Sequence, residues 1–331
     1  MTPASRPVIL VCDRFALDAL AFLRSHSEFE IRLARDAQPD DDELREARVL
    51  IARSRTRVDE GLLARAPRLQ CAVTATSGFD HVDFAACASR GVAVMHAPNA
   101  NAASACELTW ALILACARRV PEAHRAIKAG EWARERLVGS ELAGKTLGVV
   151  GLGRIGSRVA RVAQAFEMSV IAYDPFQEPS RFESLGVARE GLEELLKLSD
   201  VVTFHVPATP NTHRMLNRQN LEYLNRGCIL VNASRGTVFD IPDVCEALEN
   251  GWLRAVGLDV FPKEPLDRNS PLLAFANVVL TPHLGATTVE AFEKSSFEAA
   301  EKAVAFLTSG ALSDPLPPPA EWYRQAFSKK Q

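Results

Sequence analysis

Arg235, Glu264 and His283 are the three side chains of this 331-residue sequence whose types could carry a reaction between them. A guanidinium fork grips a carboxylate through two hydrogen bonds and polarises a neighbouring carbonyl. An imidazole exchanges a proton with an alcohol oxygen near neutral pH, and a carboxylate beside it orients the ring and stabilises its charged form. Arg235 lies in a turn between Ser234 and Gly236, Glu264 sits in Pro262-Lys263-Glu264-Pro265, and His283 directly follows Pro282. Each taken alone also fits a plainer role, as a surface ion pair, an exposed loop acid or a structural histidine.

Their setting carries more information than their identity. Residues 147–150 are strand-like, Gly151, Gly153 and Gly156 follow as G-x-G-x-x-G, and an amphipathic helix comes next. That order predicts a dinucleotide site: Gly151 permits the tight turn, Gly153 lets backbone approach a pyrophosphate, and Gly156 allows close helix packing. The helix N-terminus offers N–H groups to the anion. Eighteen residues past Gly156, a second strand-like run ends in Asp174. A carboxylate there suits a ribose 2′-OH and repels a 2′-phosphate, which favours NAD over NADP.

Later strand-like runs also end in polar groups: His205-Val206-Pro207, then Asn232-Ala233-Ser234-Arg235-Gly236, then Asp259, then Thr281-Pro282-His283. Ligands of open parallel sheets bind beyond the carboxyl ends of the strands, so this array marks one crevice. His26, His124 and His213 lack partners at useful spacing, and His81 and His96 receive no role. The sequence has no H-x-x-H or H-E-x-x-H, so no metal is expected.

A net charge of −3, with 47% hydrophobic and 24% charged residues, gives no electrostatic reason to expect nucleic acid or an acidic membrane as partner. The longest apolar stretch, residues 110–117, is too short to cross a bilayer, and the N-terminus shows no signal core, so a cytoplasmic enzyme of small molecules is expected. Seven cysteines without C-x-x-C spacing are expected to be reduced.

Two regions of alternating strands and helices position these groups. Strand-like runs at 8–11, 49–51, 70–74 and 92–95 alternate with helix-like ones, and six more strands are expected at 147–150, 170–173, 201–204, 229–231, 255–258 and 278–280. This predicts an α/β protein with two doubly wound parallel sheets. Residues 101–117 read as a long buried helix. The helix-like run 287–307 leads back to the amino-terminal domain, and 311–331, with its PLPPP, reads as an irregular strap. The expected division is a flavodoxin-like substrate domain at 1–98 and 287–331, with a Rossmann domain at 99–286 inserted into it.

The Arg/Glu/His set behind a mid-chain glycine loop resembles that of the D-2-hydroxyacid dehydrogenases, and the likeness spans nearly the whole chain. Ser77-Gly78-Phe79-Asp80-His81-Val82-Asp83 resembles their substrate-domain loop, and Asp259-Val260-Phe261 with Glu264-Pro265 their acid segment. Thr281-Pro282-His283-Leu284-Gly285 resembles their histidine segment. Within the family, NASRGTVFDIPDVCEAL at 232–248 and the basic turn Arg53-Ser54-Arg55-Thr56 most resemble the phosphoglycerate-oxidising branch of serine synthesis.

The resemblance implies a hydride exchange between NAD and a 2-hydroxy or 2-oxo acid, phosphorylated at its far end. It places pyrophosphate on Gly151, Gly153, Arg154, Ile155 and Gly156, ribose on Asp174, and the adenine side by His205, Val206 and Pro207. Thr212, Ala233, Ser234, Asp259 and Gly285 complete the cofactor contacts. It assigns the substrate carboxylate to Arg235, proton transfer to His283, alignment of that ring to Glu264, and substrate contacts to Arg53, Ser54, Ser77 and Gly78; Arg55 is expected to join Arg53 at the phosphate. A homodimer through 101–119 and 122–137 is also implied. The chain stops before the regulatory domain of longer members, so feedback by serine through it is not expected. Likeness to erythronate-4-phosphate dehydrogenases, glyoxylate/hydroxypyruvate reductases and D-lactate dehydrogenases keeps the substrate open, and NAD-sensing corepressors are a non-enzymatic alternative.

Overall fold

The computed structural model describes residues 6–327; the first five and last four residues of the expected first domain lie outside the described residues. The chain forms two compact units, one from residues 6–101 and 287–324, the other from 102–286 and 325–327.

The first unit is built on β1 (Val8–Val11), β2 (Glu30–Leu33), β3 (Ala47–Ala52), β4 (Cys71–Thr74) and β5 (Ala93–His96). These pair in parallel in the order β2-β1-β3-β4-β5. Strands β1, β3 and β4 read as near-continuous apolar runs because both faces are covered. Alternation sends Ile9, Val11, Val49, Ile51 and Val73 into one core with Ala299, Ala300 and Ala303 of the helix Val289–Ser309. Leu10, Leu50, Ala52 and Ala72 enter the other, with Leu62, Leu63 and Ala86. The strand order reverses between β1 and β3, where Asp13 follows one strand and Arg53 the other.

Two strands of this unit escape a reading by periodicity. Strand β2 is Glu-Ile-Arg-Leu at the sheet edge, where no buried face imposes an apolar pattern. Part of the tail expected to be irregular is a strand: Pro315–Leu316 pairs antiparallel with β5. Proline is tolerated there because an edge position wastes no ladder donor.

The second unit holds β6 (Thr146–Val150), β7 (Ser169–Tyr173), β8 (Ala188–Arg189), β9 (Val201–Phe204), β10 (Cys228–Asn232), β11 (Leu253–Leu258) and β12 (Val278–Leu280). All neighbours are parallel, in the order β8-β7-β6-β9-β10-β11-β12. The sheet therefore has seven strands where six were expected; β8 is two exposed residues, too short to leave a pattern. Helices Ala102–Arg118 and Gly156–Ala165 cover one face, while Leu192–Leu198 and Ile241–Glu249 cover the other. The chain runs outward from β6 in both directions, so the crevice of this sheet opens at the carboxyl ends of β6 and β9.

Candidate active site

At the end of β6 the backbone turns at Gly151, whose φ is +94°. A Cβ there would stand 2.6 Å from the His205 carbonyl oxygen, and one at Gly156 would overlap the Gly151 carbonyl. The turn and the first turn of the following helix are thus too close for any larger residue. Gly153 differs: a Cβ would meet no described atom within 4 Å, so the space before it is open. An open, glycine-floored turn beneath a helix N-terminus is the cradle a pyrophosphate requires.

Asp174 follows β7 and is tied to the same loop, its Oδ2 accepting from Leu152 N at 2.9 Å and its Oδ1 from Phe176 N at 3.0 Å. His205 N donates to Val150 O at 2.7 Å, and its Nε2 lies 3.1 Å from Thr203 Oγ1. Its Nδ1 is buried without a partner among the described residues. Burial pushes this imidazole down to about 3, so it stays neutral and is no proton carrier at working pH. Val206 and Pro207 continue from it, and Thr212 braces that loop by donating to Pro207 O and accepting from Thr209 N at 2.9 Å.

The arginine turn is shaped from below by Asn232, which is fully buried. Its Oδ1 accepts from Ser234 N and Oγ at 3.0 and 2.8 Å, and its Nδ2 donates to Arg235 O at 2.9 Å. Ala233 and Ser234 are thereby fixed in the loop, and Arg235 Nη1 donates to Ser234 O at 2.7 Å. A Cβ at Gly236 would overlap the backbone carbonyl of Phe261, so this turn lies directly on the segment leading to Glu264.

Glu264 bridges two elements. Its Oε1 accepts from Phe261 N at 3.0 Å, and its Oε2 lies 2.7 Å from His283 Nδ1. The ring is about half exposed, and its Nε2 has no hydrogen-bond partner among the described residues. His283 occupies the left-handed region, with φ +55°. That costly backbone is held by Asp259, which is completely buried and whose carbonyl accepts from His283 N at 2.9 Å. The Asp259 carboxylate accepts from Thr281 Oγ1 at 2.6 Å, Leu284 N at 2.7 Å and Gly285 N at 2.9 Å. Asp259 and Gly285, expected only as cofactor contacts, thus build the histidine loop.

Arg53, Ser54, Ser77 and Gly78 belong to the first unit. Thr74, at the end of β4, lies 2.8 Å from His81 Nε2 and 2.7 Å from Thr76 Oγ1, which donates to Gly78 O. His96 Nδ1 lies 3.0 Å from Ser77 O. The two histidines without an expected role therefore brace the Ser77-Gly78 loop. Arg53 stands over the Phe292 ring at 5.0 Å and donates to Ser295 Oγ at 3.1 Å; Arg14 stands over the same ring at 5.6 Å. Ser54 is exposed on the same turn. Burial lowers the Arg53 pKa, opposed by the charge of Asp13. Arg55, expected beside Arg53, is instead held bidentately by Asp13 at 2.8 and 3.0 Å. Arg14 is the second cation by Arg53, and nothing in its own neighbourhood of sequence marks it.

Among the described residues no group of His, Cys, Asp and Glu could hold a metal ion, and no helix is long and apolar enough to cross a membrane.

Residues 110–285 match the model of the D-isomer specific 2-hydroxyacid dehydrogenase, NAD binding domain. The chain belongs to this dehydrogenase family. It is 40% identical over 295 residues to a D-3-phosphoglycerate dehydrogenase of Methanocaldococcus jannaschii, covering 89% of this chain and 56% of that protein. The chain thus spans about half the length of such relatives. A glyoxylate reductase of Aeropyrum pernix is 38% identical over 91% of this chain and 93% of its own. The D-lactate dehydrogenase of Aquifex aeolicus, solved with NAD and lactic acid, superposes with a TM-score of 0.80 at 30% identity, over 91% of this chain and 95% of that one.

Proposed function

We propose that this dehydrogenase oxidises a D-2-hydroxy acid with NAD, and that its substrate is D-3-phosphoglycerate, converted to 3-phosphohydroxypyruvate. The observation that carries the reaction type is the 2.7 Å contact of Glu264 Oε2 with His283 Nδ1, which leaves Nε2 of the ring available. With Nδ1 fixed, His283 Nε2 takes the substrate hydroxyl proton, and Glu264 stabilises the imidazolium that results. Arg235 holds the substrate carboxylate through its fork of donors. NAD on the glycine loop, its ribose on Asp174, supplies the acceptor for the hydride leaving C2. Ser77 and Gly78 give further hydrogen bonds to the substrate.

The phosphate assignment rests on Arg53 and Arg14, two guanidinium groups on one ring at the strand-order reversal of the first unit. A phosphate ester needs fixed cations of this kind. Similarity over nearly full length to a glyoxylate reductase favours a second reading, reduction of glyoxylate or hydroxypyruvate. Turnover of phosphorylated and unphosphorylated 2-hydroxy and 2-oxo acids with NAD(H) and NADP(H) separates the two. The first reading requires the highest kcat/KM with D-3-phosphoglycerate and NAD; preference for glyoxylate removes it. We assign the dimer interface to residues 101–119 and 122–137, where Ile127 and Trp132 are more than half exposed.

A further inference from the structure

We propose that the first unit carries a second anion site, at the amino-terminal ends of its strands, for a small molecule bearing two or more negative charges, a phosphate compound or a polycarboxylate. A crevice of about 350 Å³ lies there, and Arg6, Arg32, Arg48 and Arg68 line it together with Glu30 and Glu46. The four arginines come from four separate segments: the approach to β1, strand β2, strand β3 and the approach to β4. These strands are neighbours in the sheet, so the fold converges the charges.

The carboxylates do not exhaust the donors. Arg32 spends Nε on Glu30 Oε1 at 2.7 Å, Arg68 spends Nη1 on Glu46, and Arg6 gives Nη1 to Ser27 O at 3.1 Å. The Arg48 guanidinium makes no hydrogen bond or ion pair with a described residue. Each guanidinium has five N–H groups, so most of the set is unspent and faces one volume. The hydrogen bond from Arg32, joined by the charges of Arg32 and Arg6, holds the Glu30 carboxyl below its ordinary range. Thr74, Ser77, Asp13 and Arg53 lie at the opposite, carboxyl ends of these strands. An occupant of the crevice therefore does not compete with a ligand held there, and the inference stands apart from the proposed reaction.

The test is calorimetric titration of pyrophosphate and, separately, citrate into protein saturated with NAD at low ionic strength, with an uncharged polyol as control. Binding of one or both anions is expected, weakened by salt and weakened roughly tenfold in Arg48→Gln and in Arg6→Gln. The preferred anion tells phosphate from carboxylate chemistry. Turnover and melting temperature of the variants should match the parent. No binding of either anion, or binding by both variants as tight as by the parent, overturns the site; if Arg48→Gln does not fold, Arg6→Gln alone decides.

Discussion

Gly236 rests against the backbone of Phe261 so closely that even a methyl group would overlap the Phe261 carbonyl. This contact joins the turn bearing Arg235 to the segment whose Phe261 N–H is accepted by Glu264. The guanidinium and the Glu264–His283 pair are therefore set by one packing relationship between two loops. Gly236→Ala must separate them. The variant is expected to lose about 1–3 kcal/mol of stability and about 10²-fold in kcat/KM, read by urea unfolding and steady-state kinetics. Unaltered kinetics would show that the contact does not position Arg235.

Asp259→Asn tests the support under His283. An amide keeps one acceptor oxygen and sets an NH₂ group against the N–H of Leu284 or Gly285, where the carboxylate accepts from both. A loss of about 1–3 kcal/mol is expected, with a fall in kcat, because the side-chain bonds that hold Leu284 and Gly285 next to the left-handed His283 are weakened while the Asp259 carbonyl stays in place. Wild-type unfolding and turnover would mean that the loop holds itself.

Arg53 and Arg14 should act on one end of the substrate only. Arg53→Gln and Arg14→Gln are each expected to raise KM for D-3-phosphoglycerate by about tenfold or more, while KM for glyoxylate stays nearly constant. Equal losses with both substrates would remove the phosphate assignment. Arg55→Gln, whose guanidinium is committed to Asp13, should show no such selectivity.

His205 gives a pH-dependent stability. Unfolded, it takes a proton near pH 6.5; folded, its ring stays neutral down to about 3. Between these values only the unfolded chain gains the proton, so the fold weakens as pH falls through that window. By pH 4.5 the contribution of this one residue is about 2–3 kcal/mol. The difference in unfolding free energy between pH 7 and pH 4.5 should therefore be smaller in His205→Asn than in the parent; an identical difference contradicts the burial argument.

Many residues of the candidate site could be picked out before the fold. The glycine spacing at 151–156, Asp174 at a strand end, and the run of polar groups after later strands are local signals, because ligand-binding residues of a parallel sheet must follow their strands directly. The contacts that brace them are not local. Asn232 and Asp259 look like cleft residues in sequence and prove to be scaffolds under Arg235 and His283. His81 and His96 brace the Ser77-Gly78 loop from different elements, and Arg14 meets Arg53 over the ring of Phe292. Strand β2 and Pro315–Leu316 were hidden for a related reason: edge strands need no buried periodicity.

The most direct measurement is kcat of His283→Ala on the best substrate of the turnover panel, made alongside NADH affinity by fluorescence. With Nε2 as the proton acceptor, kcat should fall about 10²–10⁴-fold while NADH binds as tightly as before. A kcat within a few-fold of the parent would contradict the assignment of proton transfer to this imidazole.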